Sequence, residues 1–298
     1  MRVLVTGATG YIGKSIVPFL EIAGHLVFSC DVGWFGESAG GDYAEIDTDE
    51  FDLIIHLAAH SSVNLCEFDP EGAWENNVGN FRKLVSKLLP DQKLVYASSG
   101  SVYGNLPKPA SENDASLTPI MTYDMTKIVK DVIAQHAINH GKQIIGLRFG
   151  TVNGLSPNTR IDLMLNAMVH SATANNVISV KNPKISRPIL FLPDLHRGIL
   201  QVMKKFKPGV YNLASLNVTV EEVAGIVRKV TGAPIEYLAD DLKPYNFHLD
   251  TSKFESTFGD YRVSTTKGIL DELVNGISKV AISRRDSLET QHLLSLRK

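Results

Sequence analysis

Tyr123 and Lys127, four residues apart in YDMTK, and Ser99, upstream in YASSGSVYG, are side chains that can move a proton on and off a carbinol. A phenol carries protons poorly at neutral pH, because its ordinary pKa is about 10. On a helix Lys127 falls one turn from Tyr123 on the same face. Its ammonium is expected to stabilise the phenolate and lower that pKa, each unit being worth about 1.4 kcal/mol. Ser99 is expected to hydrogen-bond the same reacting hydroxyl and hold it beside the phenolate oxygen. Tyrosine and lysine at this spacing also occur on plain solvated helix faces. Three features separate the readings: the apolar run KLVYASS ending in Ser99, a glycine turn at the N-terminus, and their order along the chain.

Removing that proton is useful when a hydride leaves the same carbon, and the opening MRVLVTGATGYIG suits a hydride acceptor. Residues 2–6 read as a strand, and residues 11–23 carry Ile12, Ile16, Val17 and Leu20 at helical spacing. Between them Gly7 supplies a tight turn, Gly10 close approach to a pyrophosphate, and Gly13 close helix–strand packing, with Tyr11 and Ile12 against the cofactor. The helix N-terminus then faces the diphosphate. HLVFSC reads as a second strand ending in Asp31, whose carboxylate would accept from the adenosine ribose hydroxyls and repel a 2'-phosphate. No arginine or lysine stands in DVGWFGES, so the expected cofactor is NAD rather than NADP; the plain alternative is that Asp31 begins a loop.

With 298 residues the chain can bury a large core in one or two domains, and its 30 basic and 32 acidic residues give no sign of a nucleic-acid or anionic-membrane partner. The two cysteines, Cys30 and Cys66, have neither metal nor disulfide-framework spacing, which fits a reducing cytosol. No signal peptide and no membrane-spanning stretch is legible, so a cytoplasmic location is expected. RVLVT, HLVFS, YAEI, LIIHLA, KLVYAS and QIIGLRF alternate with helical patterns at 11–23, 71–89 and 122–140, which predicts an α/β fold with a doubly wound parallel sheet. Between YAEID and LIIHLAA only TDEFD remains, too short for a crossover helix. Longer loops and helices at roughly 160–175 and 219–231 follow Arg148 and are expected to cap the carboxyl ends of the strands. The expected division is a first domain of residues 1–152 plus a returning segment at about 188–215, and a second of 153–187 and 216–298. The polar tail from about Ser278 has no functional reading.

The motifs TGATGYIG, LIIHLAAHSSV, NNVGN, YASSGSVYG, YDMTK, LRFGTV, RPILFLPD and YNLAS, running in order from residue 1 to about 275, resemble the extended short-chain dehydrogenase/reductase superfamily, in its nucleotide-sugar epimerase/dehydratase group. The resemblance implies a Rossmann domain with tightly held NAD and a smaller C-terminal domain for a nucleotide-diphosphate sugar. By matching position it implies that Leu57, Ala58 and Ala59 line the NAD cleft and that Asp47 reaches the adenine. It sets Asn77, Ser98, Phe149 and Val152 along the nicotinamide half, beside Ser99, Tyr123 and Lys127. His60, Ser101 and Thr151 would border the sugar, and Arg187 would pair with the diphosphate, although Asn77 could instead tie two loops together and Arg187 be a surface charge. SPNTRIDLMLN is similar to one branch of nucleotide-sugar epimerases, including members acting at C4 of GDP-heptose. There Arg160 and Asn166, expected on one helix face, could grip phosphate and nucleotide; the alternative is a local salt bridge of Arg160 with Asp162.

Departures from the group narrow the chemistry. The 4,6-dehydratases carry an Asp-Glu pair directly after the triad hydroxyl, where Gly100 and Ser101 stand here, and the GDP-fucose synthases use a cysteine at the position of Ser101. A 4-epimerase through a transient 4-keto sugar is the expectation that remains. A dehydrogenase or reductase on the same substrates uses the same triad, and a non-catalytic dinucleotide sensor is a distant third. Helices 71–89 and 122–140 resemble those of a four-helix homodimer contact, to which Trp74, Phe81 and Val85 could contribute unless they face their own sheet.

Overall fold

The computed structural model describes residues 1–32, 40–106, 108–114, 117–240, 245–279 and 281–282; the stretch 33–39 after Asp31 and the tail from 283 lie outside the described residues. The valine-rich opening forms β1 (Arg2–Thr6), Gly7 turns the chain at φ +71°, and α1 (Gly13–Ile22) buries Ile16 and Leu20. β2 (Leu26–Cys30), β3 (Leu53–His56), α2 (Val63–Phe68), α3 (Pro70–Trp74), a π-helical turn (Glu75–Asn80) and α4 (Phe81–Lys87) follow. β4 (Lys93–Ser99), a 3₁₀ turn (Gly100–Tyr103), α5 (Thr122–Asn139) and β5 (Gln143–Phe149) complete this half. The remainder forms β6 (Thr151–Asn153), β7 (Asn158–Thr159), α6 (Met164–Asn175), β8 (Ile178–Val180), β9 (Ser186–Phe191) and α7 (Leu192–Lys204). After these come β10 (Gly209–Leu213), β11 (Leu216–Thr219), α8 (Val220–Thr231), β12 (Ile235–Tyr237), α9 (Ser252–Phe258), α10 (Thr266–Gly276) and β13 (Ala281–Ile282).

Six strands pair in the order β10-β5-β4-β3-β1-β2, every pair parallel. Helices cover both faces, so successive residues are buried on alternate sides. Val3, Val5, Ile55 and Leu147 enter one core with Leu195 and Ile199 of α7, while Leu4, Ile54, Leu94 and Ile144 enter the other with Phe81 and Leu84. β1 is flanked by β2 on one side and β3 on the other, and this reversal opens a crevice at the carboxyl ends of the strands. A smaller sheet, β11-β9-β6, packs Ile189 and Phe191 against α6, α8 and α10 in a separate apolar cluster, while β7 pairs with β13 and β8 with β12. Among the described residues no helix is long and apolar enough to cross a membrane.

Three expectations are corrected. YAEI is not a strand: residues 43–46 turn, Tyr43 is buried with its hydroxyl donating to the Asn76 carbonyl at 2.5 Å, and β2 is left as the sheet edge. The helix expected over 71–89 is broken into α3, the π turn and α4, because an extra residue is accommodated at 75–80. Phe81 and Val85, considered for a dimer contact, face their own core; Trp74 remains 38% exposed.

α1 and α7 meet through His196, which lies 3.0 Å from the Ser15 hydroxyl and stacks on Phe19 at 4.9 Å. Burial holds its imidazole down at about 4, against an ordinary 6.5. The unfolded chain therefore takes up a proton below about pH 6.5 while the folded chain does not until about 4, so stability present above 6.5 is lost as pH falls through that window. Between pH 7 and 5 this single group is expected to cost about 2 kcal/mol. Urea unfolding at both pH values should show His196→Gln losing less stability than the parent over the same step; equal losses would exclude the mechanism.

Candidate active site

The crevice is a cavity of about 1150 Å³, larger than the few hundred Å³ of many small-ligand sites. Its wall comes from the β1–α1 turn, the ends of β2 to β5, the start of α5, and loops from the second half of the chain. Gly7, Gly10, Tyr11, Ile12, Gly13, Asp31, Leu57, Ala58, Ala59, His60, Ser98, Ser99, Ser101, Tyr123, Lys127, Phe149, Thr151, Val152, Arg160 and Arg187, all singled out from the sequence, line it.

The glycine turn fits a dinucleotide. A methyl at Gly7 would stand 2.7 Å from the Ala58 nitrogen, and one at Gly13 would stand 2.2 Å from the Gly7 oxygen. Only glycine allows the turn to sit this close to the strands behind it. No side chain caps α1, and its first turn holds no acid, which suits an anion at its N-terminus. Thr9 N donates to Asp31 Oδ2 at 3.0 Å, fixing the carboxylate at the end of β2. The Ser98 hydroxyl, on the cavity wall, is buried and has no hydrogen-bond partner within the chain.

Ser99 ends β4, and Tyr123 and Lys127 occupy successive turns of α5, so strand and helix bring the three together. Ser99 stands 2.8 Å from the Ser101 hydroxyl and near enough to the Tyr123 hydroxyl to favour its ionised form. Lys127 Nζ donates to the Ala97 carbonyl at 3.3 Å and sits 5.3 Å from the Tyr123 ring centre. The expected lowering of the phenol is not found. Burial pushes Tyr123 up to about 12, against the opposing pull of the Ser99 hydroxyl and the Arg160 charge. Burial also lowers Lys127 to about 8, and its ammonium, spent on a backbone carbonyl, does not reverse the balance.

Asp47, Asn77 and Asn166 do not line the cavity. Asp47 is exposed and caps its own turn at Asp49 N, while Asp42 and Tyr43, from the preceding turn, line the cavity. Asn77 is fully buried and clamps the His60 backbone, accepting from its N–H at 2.7 Å and donating to its carbonyl at 3.1 Å and to Thr126 at 3.1 Å. It ties two segments together from behind the cavity wall. Asn166 is fully buried, accepts from Gly154 N at 3.0 Å and donates to the Arg160 carbonyl at 2.9 Å. Arg160 precedes α6, so the two share no helix face; its guanidinium forks onto Asp162 and reaches the Ser61 carbonyl at 3.3 Å.

His60 spends both ring nitrogens on the protein, at 3.2 Å from Asp69 Oδ2 and 3.1 Å from Asn76 Nδ2, which makes it a fixed wall. Tyr245 was missed by sequence reasoning. Its hydroxyl donates at 2.6 Å to Asp124, the residue after Tyr123, and its carbonyl accepts from Arg187, whose guanidinium lies 5.5 Å from its ring. Nothing local in PYNFH marks this role, because the contact joins residues 121 positions apart in sequence.

Residues 3–214 match the NAD dependent epimerase/dehydratase family. The chain belongs to that family, and NAD is its cofactor. Relatives include Protein CapI of Staphylococcus aureus, 27% identical over 69% of this chain and 70% of the relative. A UDP-glucose 4-epimerase of Streptomyces lividans is 27% identical over 78% of this chain and 82% of the enzyme. Among solved structures, MoeE5 in complex with UDP-glucose and NAD superposes with a TM-score of 0.83 at 22% identity, over 94% of this chain and 99% of that one.

Proposed function

We propose that this chain is an NAD-dependent nucleotide-sugar 4-epimerase acting through a transient 4-keto sugar. The observation that carries the reading is the placement of Ser99, Tyr123 and Lys127 on one cavity with Ser101, not a carboxylate, beside the triad hydroxyl. Water elimination needs a positioned acid next to the sugar, and Asp162, a cavity carboxylate from the second half of the chain, is held in a fork by Arg160.

NAD supplies the hydride acceptor and donor when it is bound. Tyr123, once ionised, takes the proton of the sugar 4-hydroxyl and later returns it to the 4-keto oxygen, while Ser99 holds that oxygen at the phenol. Because burial raises the phenol to about 12, ionisation would draw on Lys127, Arg160 and the positive charge that oxidised NAD brings. Arg187, steadied by the Tyr245 carbonyl, grips the diphosphate, which leaves the sugar free to turn between the two half-reactions. The relatives named 4-epimerases support this choice of reaction.

The test is incubation of the protein with NAD and a panel including UDP-glucose and UDP-glucuronate, following product stereochemistry by NMR and the NADH absorbance band. The expected result is inversion at C4 with no accumulation of NADH. NADH rising in step with a keto sugar would overturn the epimerase in favour of a dehydrogenase.

A further inference from the structure

The charged residues that line the cavity fall into two groups, with Asp162 paired to Arg160 in the group that holds the cations. Its cations, Lys127, Arg160 and Arg187, gather around Tyr123 and Tyr245. Asp31, Asp42 and Glu75 lie at the far end, where β2 stops. Two neighbours register that clustering. Burial, then Asp31 and Asp42, pushes the Cys30 thiol up to about 12, and burial, then Asp42 and Glu75, raises the Tyr43 hydroxyl.

Among the described residues β2 is the last strand on its side of the sheet, with only the Asp31–Gly40 bridge beyond it, and Asp42 lines the wall there. Residues 43–46 turn where a further strand was expected, and Tyr43 pins that turn to the Asn76 carbonyl. Asp42 caps the turn through Oδ1, which accepts from Ala44 N at 2.9 Å. Among the described residues no lysine or arginine pairs with it, whereas Glu75 is bridged by Lys83 at 3.0 Å. Asp42 is therefore the carboxylate of the far end whose charge is left to act on a ligand alongside Asp31. A 2'-phosphate there would add about −1.5 to −2 charges at pH 7 beside both carboxylates.

We propose that Asp42 is a second cofactor-discriminating residue, which with Asp31 bars the 2'-phosphate of NADP from the ribose end of the cleft. A carboxylate at the end of β2 reads the ribose hydroxyls, and Asp42, exposed and lining the same end of the cavity, adds to the repulsion. This rests on the cleft holding NAD and not on the choice of sugar, so a silent sugar panel leaves it standing.

The test is calorimetric titration of the full-length chain with NAD and with NADP, for the parent, Asp42→Asn and Asp31→Asn. The parent is expected to favour NAD, and Asp42→Asn to tighten NADP by about threefold to tenfold while changing NAD by less than about twofold. Because Asp42 is exposed, raising salt from about 50 mM to about 500 mM should narrow the parent's preference and leave that of Asp42→Asn nearly unchanged. A parent that binds NADP as well as NAD overturns the proposal. So does an Asp42→Asn chain in which both cofactors weaken equally and the thermal midpoint falls, since that outcome assigns Asp42 to capping its turn alone.

Discussion

Tyr123→Phe is expected to lower turnover by about a thousandfold while leaving NAD affinity within about twofold of the parent. The phenol oxygen is the only part removed, and it is the group placed to exchange a proton with the sugar. The ring, its contact with Lys127 at 5.3 Å and the glycine turn all stay. Ser99→Ala should cost less, about tenfold to a hundredfold, because it removes a hydroxyl near the phenol and not the phenol itself. Single-turnover reduction of bound NAD, read at the NADH band, separates chemistry from product release. A Tyr123→Phe enzyme that keeps even a tenth of the parent rate would remove the mechanism.

Asp131→Ala is expected to destabilise the fold by about 3 to 5 kcal/mol, read from urea unfolding at pH 7. Asp131 lies on α5 beneath the site, 5% exposed, accepting from Tyr96 at 2.8 Å and from Arg148 Nε at 2.8 Å. Arg148 in turn donates to the Tyr103 hydroxyl at 2.7 Å, and that hydroxyl donates to Asn212 at 2.9 Å. Removing the carboxylate strands a guanidinium that is 6% exposed, along with the Tyr96 hydroxyl. A buried pair is weak evidence for stability when both partners can be swapped for apolar groups. Here that exchange would still leave the buried Tyr96 hydroxyl without its acceptor, so the network as a whole is worth keeping. Asp131→Asn keeps the acceptor oxygen and should cost about 1 to 3 kcal/mol. Losses of equal size in the two variants would show that shape, not charge, holds α5.

The parts that could be read from the sequence are those in which neighbours along the chain are neighbours in space. TGATGYIG is a strand, a turn and a helix in one run, and Tyr123 and Lys127 share one helix, so spacing alone placed them. YAEI misled because a tyrosine and an isoleucine also suit a turn whose aromatic ring is buried and whose hydroxyl finds a carbonyl. Arg160 read as helical because the apolar spacing of α6 extends backwards into a loop that the Arg160–Asp162 fork stabilises instead. Tyr245 and Asp42 were out of reach for a different reason. One is brought to the site by a hydrogen bond to Asp124, and the other by the turn at 43–46 that Tyr43 pins to Asn76, and neither fact is local.

The π-helical turn over Glu75–Asn80 also sets a phase. An α-helix advances about 100° per residue, so one added residue rotates everything on one side of it by about that angle relative to the other. Upstream of that offset Asn77 holds the His60 backbone and Thr126 of α5, and downstream of it Phe81 packs in the sheet core beside Lys130 of α5. Deleting Gly79, which sits within the turn, would restore regular winding and swing the clamp on His60 away from the cavity wall, although no residue that touches the ligand had been changed.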